Sequence, residues 1–189
     1  MPVAREARSR ERILQVAVDL CVERGYPAVT MEAVAAAAKV GKPTLYRWWP
    51  SKPQLMLDAM LERVSGVYFL IPDTGDIAAD LRVWIDGFVR LFADPVLRSL
   101  CVGVASAHTQ DDDLRQQMIT KIHEPARRHN QARIRAAQAA GQLAAIDPDL
   151  IEDLLIAPLW YRVLLSNMPI TAEVADQIVN SVLSIRWPR

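Results

Sequence analysis

The side chains best suited to molecular recognition fall between Thr30 and Lys52, in the run TMEAVAAAAKVGKPTLYRWWPSK. Lys42, Lys52 and the Tyr46 hydroxyl can donate to phosphate oxygens. Thr44 and Trp48, four residues apart and so on one face of a helix, can touch base edges or thymine methyls. Pro43 and Arg47 flank them. The group therefore divides into side chains that position a protein on a charged backbone and side chains that read sequence, which is the chemistry of duplex DNA.

Two short helices must hold these residues. The first is expected to begin at Thr30, whose hydroxyl can cap free N–H groups, with Glu32 in the first turn where the helix dipole favours an acid. Val34, Ala35 and Ala38 line one face, and their small size suits helices crossing at roughly 90–120°. Lys39-Val40-Gly41 makes the turn, and Pro43 fits the first turn of the second helix, where a missing N–H costs nothing. On that helix Leu45 and Trp49 are expected to face the core. Neighbouring side chains on a helix point about 100° apart, so Trp48 and Trp49 are both buried only if the helix is covered on most sides, and Arg47 beside them favours water. The arrangement predicted is a helix-turn-helix with its second helix in the major groove.

The stretch from Arg12 to Leu57 resembles the N-terminal domain of tetracycline-repressor-like (TetR family) transcriptional regulators, through Gly25-Tyr26, Thr30, Thr44-Leu45-Tyr46-Arg47-Trp48-Trp49 and Ser51-Lys52. The resemblance implies phosphate contacts by Thr30, Tyr46 and Lys52 and base reading from Lys42 to Trp48. Two positions depart from the family pattern. Lys39 stands where glycine is common, which implies a left-handed lysine at some cost. Gly41 stands where serine is common, which loses a capping hydroxyl but keeps a tolerated cap residue.

Charge distribution agrees with a DNA partner better than net charge does. The 189 residues carry 22 Lys/Arg and 22 Asp/Glu. Up to Pro53 there are nine basic and five acidic residues, against thirteen and seventeen beyond it. A basic head on an acidic body is the layout expected of a DNA-binding protein that must not coat nucleic acid with its other surfaces. Arg5, Arg8, Arg10 and Arg12 concentrate the charge. Arg5 and Arg8 also read as a solvated tail; the resemblance implies that this arm lies on the phosphates. The N-terminus has no apolar core before Ile13, and no run of about 20 apolar residues occurs, so a cytoplasmic protein without membrane segments is expected. Cys21 and Cys101 fall in helices of what should be different domains. A disulfide is not expected, and Cys101 reads as a small core residue.

The fold class predicted is all-α: an N-terminal three-helix helix-turn-helix domain (residues 1–50) and a C-terminal helical ligand-binding and dimerisation domain (51–189). Helices are expected at about Arg8 to Arg24, Ser51 to Phe69, Asp76 to Ala93, Val96 to Ala107, Asp111 to Gly141, Pro148 to Asn167 and Ala172 to Ile185. Ser51 and Gln54 read as a capping box, which makes the Ser51 to Phe69 helix a rod between the two domains. The Pro148 helix is apolar nearly all round and the last helix carries two adjacent apolar stripes, so each should be covered on more than one side. A twofold four-helix interface through Ile151, Leu155, Leu159, Ile178, Val182 and Ile185 is expected, in line with the family's dimerisation.

If the resemblance extends to ligand-controlled members, a pocket for a small effector would be lined by Met60, Val64, Tyr68, Trp84, Phe88, Cys101, Ala105, His108, Met118 and Ile122, although such a stripe also reads as plain core. No cofactor or metal site is expected. The His123 and His129 spacing does not share a helical face, and Asp111 to Asp113 reads as a solvated helix start. The function predicted is a homodimeric transcriptional regulator, a repressor by the resemblance, on a palindromic double-stranded operator and released by a largely apolar small molecule. Two alternatives remain: a DNA-binding regulator without a small-molecule switch, and an all-helical metal-dependent enzyme built on His108, Asp111 and His123.

Overall fold

The computed structural model describes residues 2–64 and 70–185, with side chains from Glu6 onward. Among the described residues all regular structure is helical. The order is α1 (Pro2–Arg24), α2 (Met31–Ala37), α3 (Lys42–Trp48), α4 (Lys52–Arg63), α5 (Ile77–Ala93), α6 (Pro95–Ala107), α7 (Asp112–Met118), α8 (Glu124–Ala139), α9 (Pro148–Tyr161) and α10 (Ala172–Leu183). A 3₁₀ turn, Tyr26–Ala28, follows α1, and five-residue π-helical turns, Ile119–His123 and Arg162–Ser166, follow α7 and α9. By compactness of the backbone the chain forms two units, residues 1–65 with 95–116, and residues 66–94 with 117–189. This partition differs from the boundary at residue 50, because α4 and α6 pack with the N-terminal helices.

In the first unit, Ile13, Leu14, Ala17, Val34, Leu45, Leu55, Met56, Leu57, Leu100 and Leu114 are buried together. α1 packs on α2, α4 and α6, and α2 on α3. The close approach of α6 depends on Gly103: a Cβ there would lie 2.5 Å from three atoms of the Tyr26 ring. Two local expectations are corrected. α4 is described only to Arg63, because Val64 leaves the helix with φ −91° and ψ 63°; Ser65 to Phe69, including the expected end of the rod, lie outside the described residues. The capping box does not form. Ser51 is the N-cap residue but its side chain caps nothing: Pro53 offers no N–H, and the hydroxyl does not bond the Gln54 N–H either. Gln54 is turned inward at 4% exposure and cannot reach back. The Ser51 hydroxyl and the Gln54 carbonyl oxygen are buried without partners.

The second unit is tied by a buried polar network. Asp80, on α5, accepts from Arg133 Nε (3.0 Å) and Nη2 (2.6 Å) and from the Thr74 hydroxyl (2.6 Å). Arg133 Nε also donates to the Pro72 carbonyl. The Ile71 N–H donates to Asn130 Oδ1 at 2.9 Å, and Asn130 Nδ2 donates to Glu152. The segment 71–75 is thereby held to α8 by side chains rather than by regular structure. Around it Ile71, Leu81, Ile85, Ile134, Leu155, Leu159 and Val179 form the core.

The interface stripe expected on α9 and α10 is also corrected. Ile151, Leu155 and Leu159 are at most 1% exposed and Val182 is 4% exposed, so they belong to the core of their own unit; Ile178 and Ile185 are half-buried. α9 is apolar on two faces. The one not used by the core carries Leu150, Leu154 and Tyr161, and beyond it Leu164, Leu165 and Met168, all exposed. A shallow, largely apolar hollow of about 540 Å³ lies along it, lined by Leu154, Ala157, Pro158, Tyr161 and Met168 together with Asp153 and Arg162.

Candidate nucleic-acid interface

Local rules build the reading head. Thr30 caps α2, accepting from the Ala33 N–H at 3.1 Å, and has the extended backbone of an N-cap residue. At the other end Lys39 has φ 54°. Its N–H donates to Ala36 O and that of Val40 to Ala35 O, the paired bonds of a Schellman turn. The left-handed lysine is therefore present and satisfies two carbonyls of α2. Gly41 follows in extended geometry as the N-cap residue of α3, and Pro43 sits in the first turn.

α3 separates its faces as the spacing predicts. Leu45 is fully buried and Trp49 is 3% exposed. Lys42, Pro43, Tyr46 and Arg47 are exposed, while Thr44 and Trp48 are half-buried at the edge of the same surface. Trp48 meets Trp49 edge to face at 5.7 Å. Trp49 is fixed by two further groups: its indole N–H donates to Asp58 at 3.0 Å, Asp58 accepts from Arg10 at 2.7 Å, and the Arg10 guanidinium lies 5.6 Å from the indole centroid. Arg10 also pairs with Glu62. Asp58 and Glu62 carry no sequence signal for this role, and Arg10 reads from the sequence only as part of the basic arm. Through Asp58 the end of α3 is bonded directly to α4.

The cations of the head are less available than a sequence count implies. Lys52 Nζ donates to the carbonyls of Tyr26 (3.1 Å) and Pro27 (3.3 Å) and stands 4.5 Å from the Tyr26 ring centroid. Burial pushes its pKa down. Two of its three N–H donors thus hold the 3₁₀ turn against α4, which corrects its reading as a phosphate anchor alone. Lys42 Nζ lies 3.3 Å from Glu32 Oε1, and the Tyr46 hydroxyl donates to the same oxygen at 3.4 Å. Arg47 Nη2 lies 3.5 Å from Glu6 Oε1. The Glu32 carboxyl is held below its usual range, first by its own backbone N–H and then by Lys42. Of the basic arm, Arg10 is committed to Asp58 and Glu62, and the side chain of Arg5 lies outside the described residues.

The residues expected to line a pocket divide between the units. Met60, Val64, Cys101, Ala105 and His108 belong to the first, and Trp84, Phe88, Met118 and Ile122 to the second; Tyr68 lies outside the described residues. Cys101 Sγ contacts Met60 Sδ at 3.4 Å, and burial pushes its thiol up to about 12. It is an inert core thiol. His108 Nδ1 bonds the Ala105 carbonyl, and His129 Nε2 bonds the Ile71 carbonyl at 2.7 Å. No group of three potential metal ligands occurs among the described residues. None of the described helices is long and apolar enough to cross a membrane.

Comparison with known proteins places this geometry. Residues 13–59 match the bacterial regulatory proteins of the tetR family, and residues 71–182 match the tetracyclin repressor-like C-terminal domain. The chain is 26% identical over 187 residues to the HTH-type transcriptional regulator YdeS of Bacillus subtilis, covering 96% of this chain and 92% of YdeS. It is 31% identical over 178 residues to an HTH-type transcriptional regulator of Mycobacterium bovis, covering 90% of this chain and 84% of that protein. The crystal structure of the TetR family transcription regulator SCO0332 superposes with a TM-score of 0.75 at 28% identity, covering 95% of this chain and 99% of that one. With its capped α2, left-handed turn and exposed α3, the chain belongs to the TetR family of helix-turn-helix transcriptional regulators, whose members are typically repressors with a ligand-binding C-terminal domain.

Proposed function

We propose that the protein is a cytoplasmic, homodimeric repressor that occupies a twofold-related operator and is released when a small, largely apolar effector binds its C-terminal part. The observation that carries the reading is the two-sidedness of α3, with Leu45 and Trp49 buried while Lys42, Pro43, Tyr46 and Arg47 face outward and Thr44 and Trp48 border them. In this reading Thr44 and Trp48 contact bases. Tyr46 and the Thr30 hydroxyl, which caps α2 as an acceptor and keeps its own proton to donate, contact phosphate.

A dimer supplies the second reading head that a palindromic site requires. The surface available for it is the outward face of α9, through Leu150, Leu154, Tyr161 and Leu165, in place of the buried stripe 151/155/159. Exposed large apolar groups in one row mark a contact surface on a chain of this size. Effector control requires only that the ligand bind one arrangement of the heads better than the other. A coupling of about 1–3 kcal/mol changes operator affinity by roughly 5- to 150-fold. The bond from Asp58 to Trp49 is a direct route from α4 to the reading helix.

Selection of bound sequences from a random duplex pool, repeated with lipophilic compounds, tests the whole reading. Two inverted half-sites about one helical turn apart are expected, with enrichment lost in the presence of an effective compound. Absence of any enriched sequence overturns it, and a single half-site overturns the dimer. On the selected site, Thr44→Ala is expected to relax base preference by about 1–3 kcal/mol at one pair per half-site.

A further inference from the structure

The exposed cations of α3 are both held by acids from other helices. Glu32, in the first turn of α2, reaches across the turn to Lys42 at the start of α3 and to Tyr46 one helical turn later, so that one carboxylate oxygen occupies both donors. Glu6, on α1, lies against Arg47. All four charged side chains remain more than half exposed: 61% and 52% for Lys42 and Glu32, 65% and 59% for Arg47 and Glu6. They are therefore open to exchange with a solution anion. Lys52 keeps its charge but has two of its three N–H donors on backbone carbonyls.

A carboxylate and a phosphate diester present the same acceptor chemistry to an ammonium, a guanidinium or a phenol. A phosphate that takes the donors now on Glu32 displaces that carboxylate from Lys42 and Tyr46, and one that takes the Nη2 donor of Arg47 displaces Glu6. We propose that Glu32 and Glu6 act as built-in stand-ins for DNA phosphate, which lower sequence-independent binding and leave discrimination to the neutral readers Thr44 and Trp48. The inference rests on the reading that this surface binds DNA. Because each displaced pair subtracts from binding to every sequence alike, the two acids set overall affinity and its salt dependence, and the ratio between sequences stays with Thr44 and Trp48.

Salt dependence reads this directly. Each cation freed to neutralise a phosphate steepens the slope of log affinity against log salt by about 0.9. With a short duplex of mixed sequence, titrated by fluorescence anisotropy between about 50 and 200 mM salt, Glu32→Gln is expected to bind several-fold more tightly at the low end. Its slope should be steeper by about 0.9, and Glu6→Gln/Glu32→Gln steeper by about twice that. Glu11→Gln removes the same charge from an exposed position on α1 and should leave the slope unchanged. General repulsion is separated from pairing by repeating Glu32→Gln in a Lys42→Gln background, where the gain in slope is expected to vanish. An unchanged slope for Glu32→Gln, or an equal gain with and without Lys42, overturns the inference while leaving DNA binding intact. Failure of the unsubstituted protein to bind mixed duplex in a salt-dependent way overturns the DNA reading itself.

Discussion

The carboxylates of Glu32 and Asp80 each hold one cation and one hydroxyl: Lys42 with Tyr46 at the tip of the head, Arg133 with Thr74 at the start of α5. The distances separate them, 3.3 and 3.4 Å in the first cluster against 2.6 and 2.6 Å in the second. Exposure separates them further. Glu32 and Lys42 have more than half of their side-chain surface in water, whereas the Asp80 and Arg133 side chains have 1% and 4%. In water such a pair is nearly indifferent to being broken and can be exchanged for another anion. In the interior, losing one partner strands a charge. The same set of groups is therefore a replaceable contact in one unit and a structural tie in the other.

The largest effect is expected of Arg133→Ala, which leaves the Asp80 carboxylate buried and uncompensated. A loss of about 3–5 kcal/mol is expected, with the melting temperature down by roughly 10 °C or more. Replacing both partners by apolar residues of similar volume, Asp80→Leu with Arg133→Met, should recover much of that loss. Similar melting temperatures for Arg133→Ala and the unsubstituted protein would show that the cluster is not a tie.

Next in size is the response to acid. Burial raises the pKa of Asp80, but the bonds from Thr74 and Arg133 outweigh it and bring it below its ordinary value. A depressed carboxylate contributes stability that is fully present above its unfolded pKa, near 3.9, and is lost as pH falls through the folded value. Denaturation midpoints measured from pH 6 downward should fall below about pH 4, and Asp80→Asn should flatten that limb while being less stable at neutral pH. Glu152 acts in the other sense, since burial raises its pKa and its ionisation cost sets in as pH rises through the carboxylate range.

Thr30→Ala sits between the two clusters in size, because it removes a cap from a short helix. About 1 kcal/mol of stability is expected to go, with Thr30→Ser recovering most of it, by chemical denaturation. The smallest effect on stability belongs to Glu32→Gln. No shift in melting temperature is expected beyond measurement error, although its DNA binding should change as described above. A clear destabilisation would place Glu32 with Asp80 as a structural group.

Much of the head was legible because its determinants are local. Thr30 as a cap, the left-handed Lys39, Gly41 and Pro43 at the start of α3, and the burial of Leu45 and Trp49 each follow from residues within one or two turns. The failures have equally definite causes. Lys52 read as a free cation because its acceptors, the carbonyls of Tyr26 and Pro27, are 25 residues or more away and carry no sequence signature. Ser51 and Gln54 had capping-box spacing, but burial of Gln54 took precedence over the local bond. Asp80, Asn130 and Arg133 had no signal at all, since an isolated acid or amide on an amphipathic helix reads as a solvated position.

Taken alone, then, the order of residues determined the helix-turn-helix, the identity of the reading helix and the all-helical class, because periodicity, caps and turn residues act over a few residues. Tertiary structure decided which of two apolar stripes on α9 entered the core, burying Ile151, Leu155 and Leu159 and leaving Leu150, Leu154 and Tyr161 exposed. It also decided which charges were spent. Apolar pattern and charge count are sums over a chain, whereas burial and pairing depend on what else arrives at the same place.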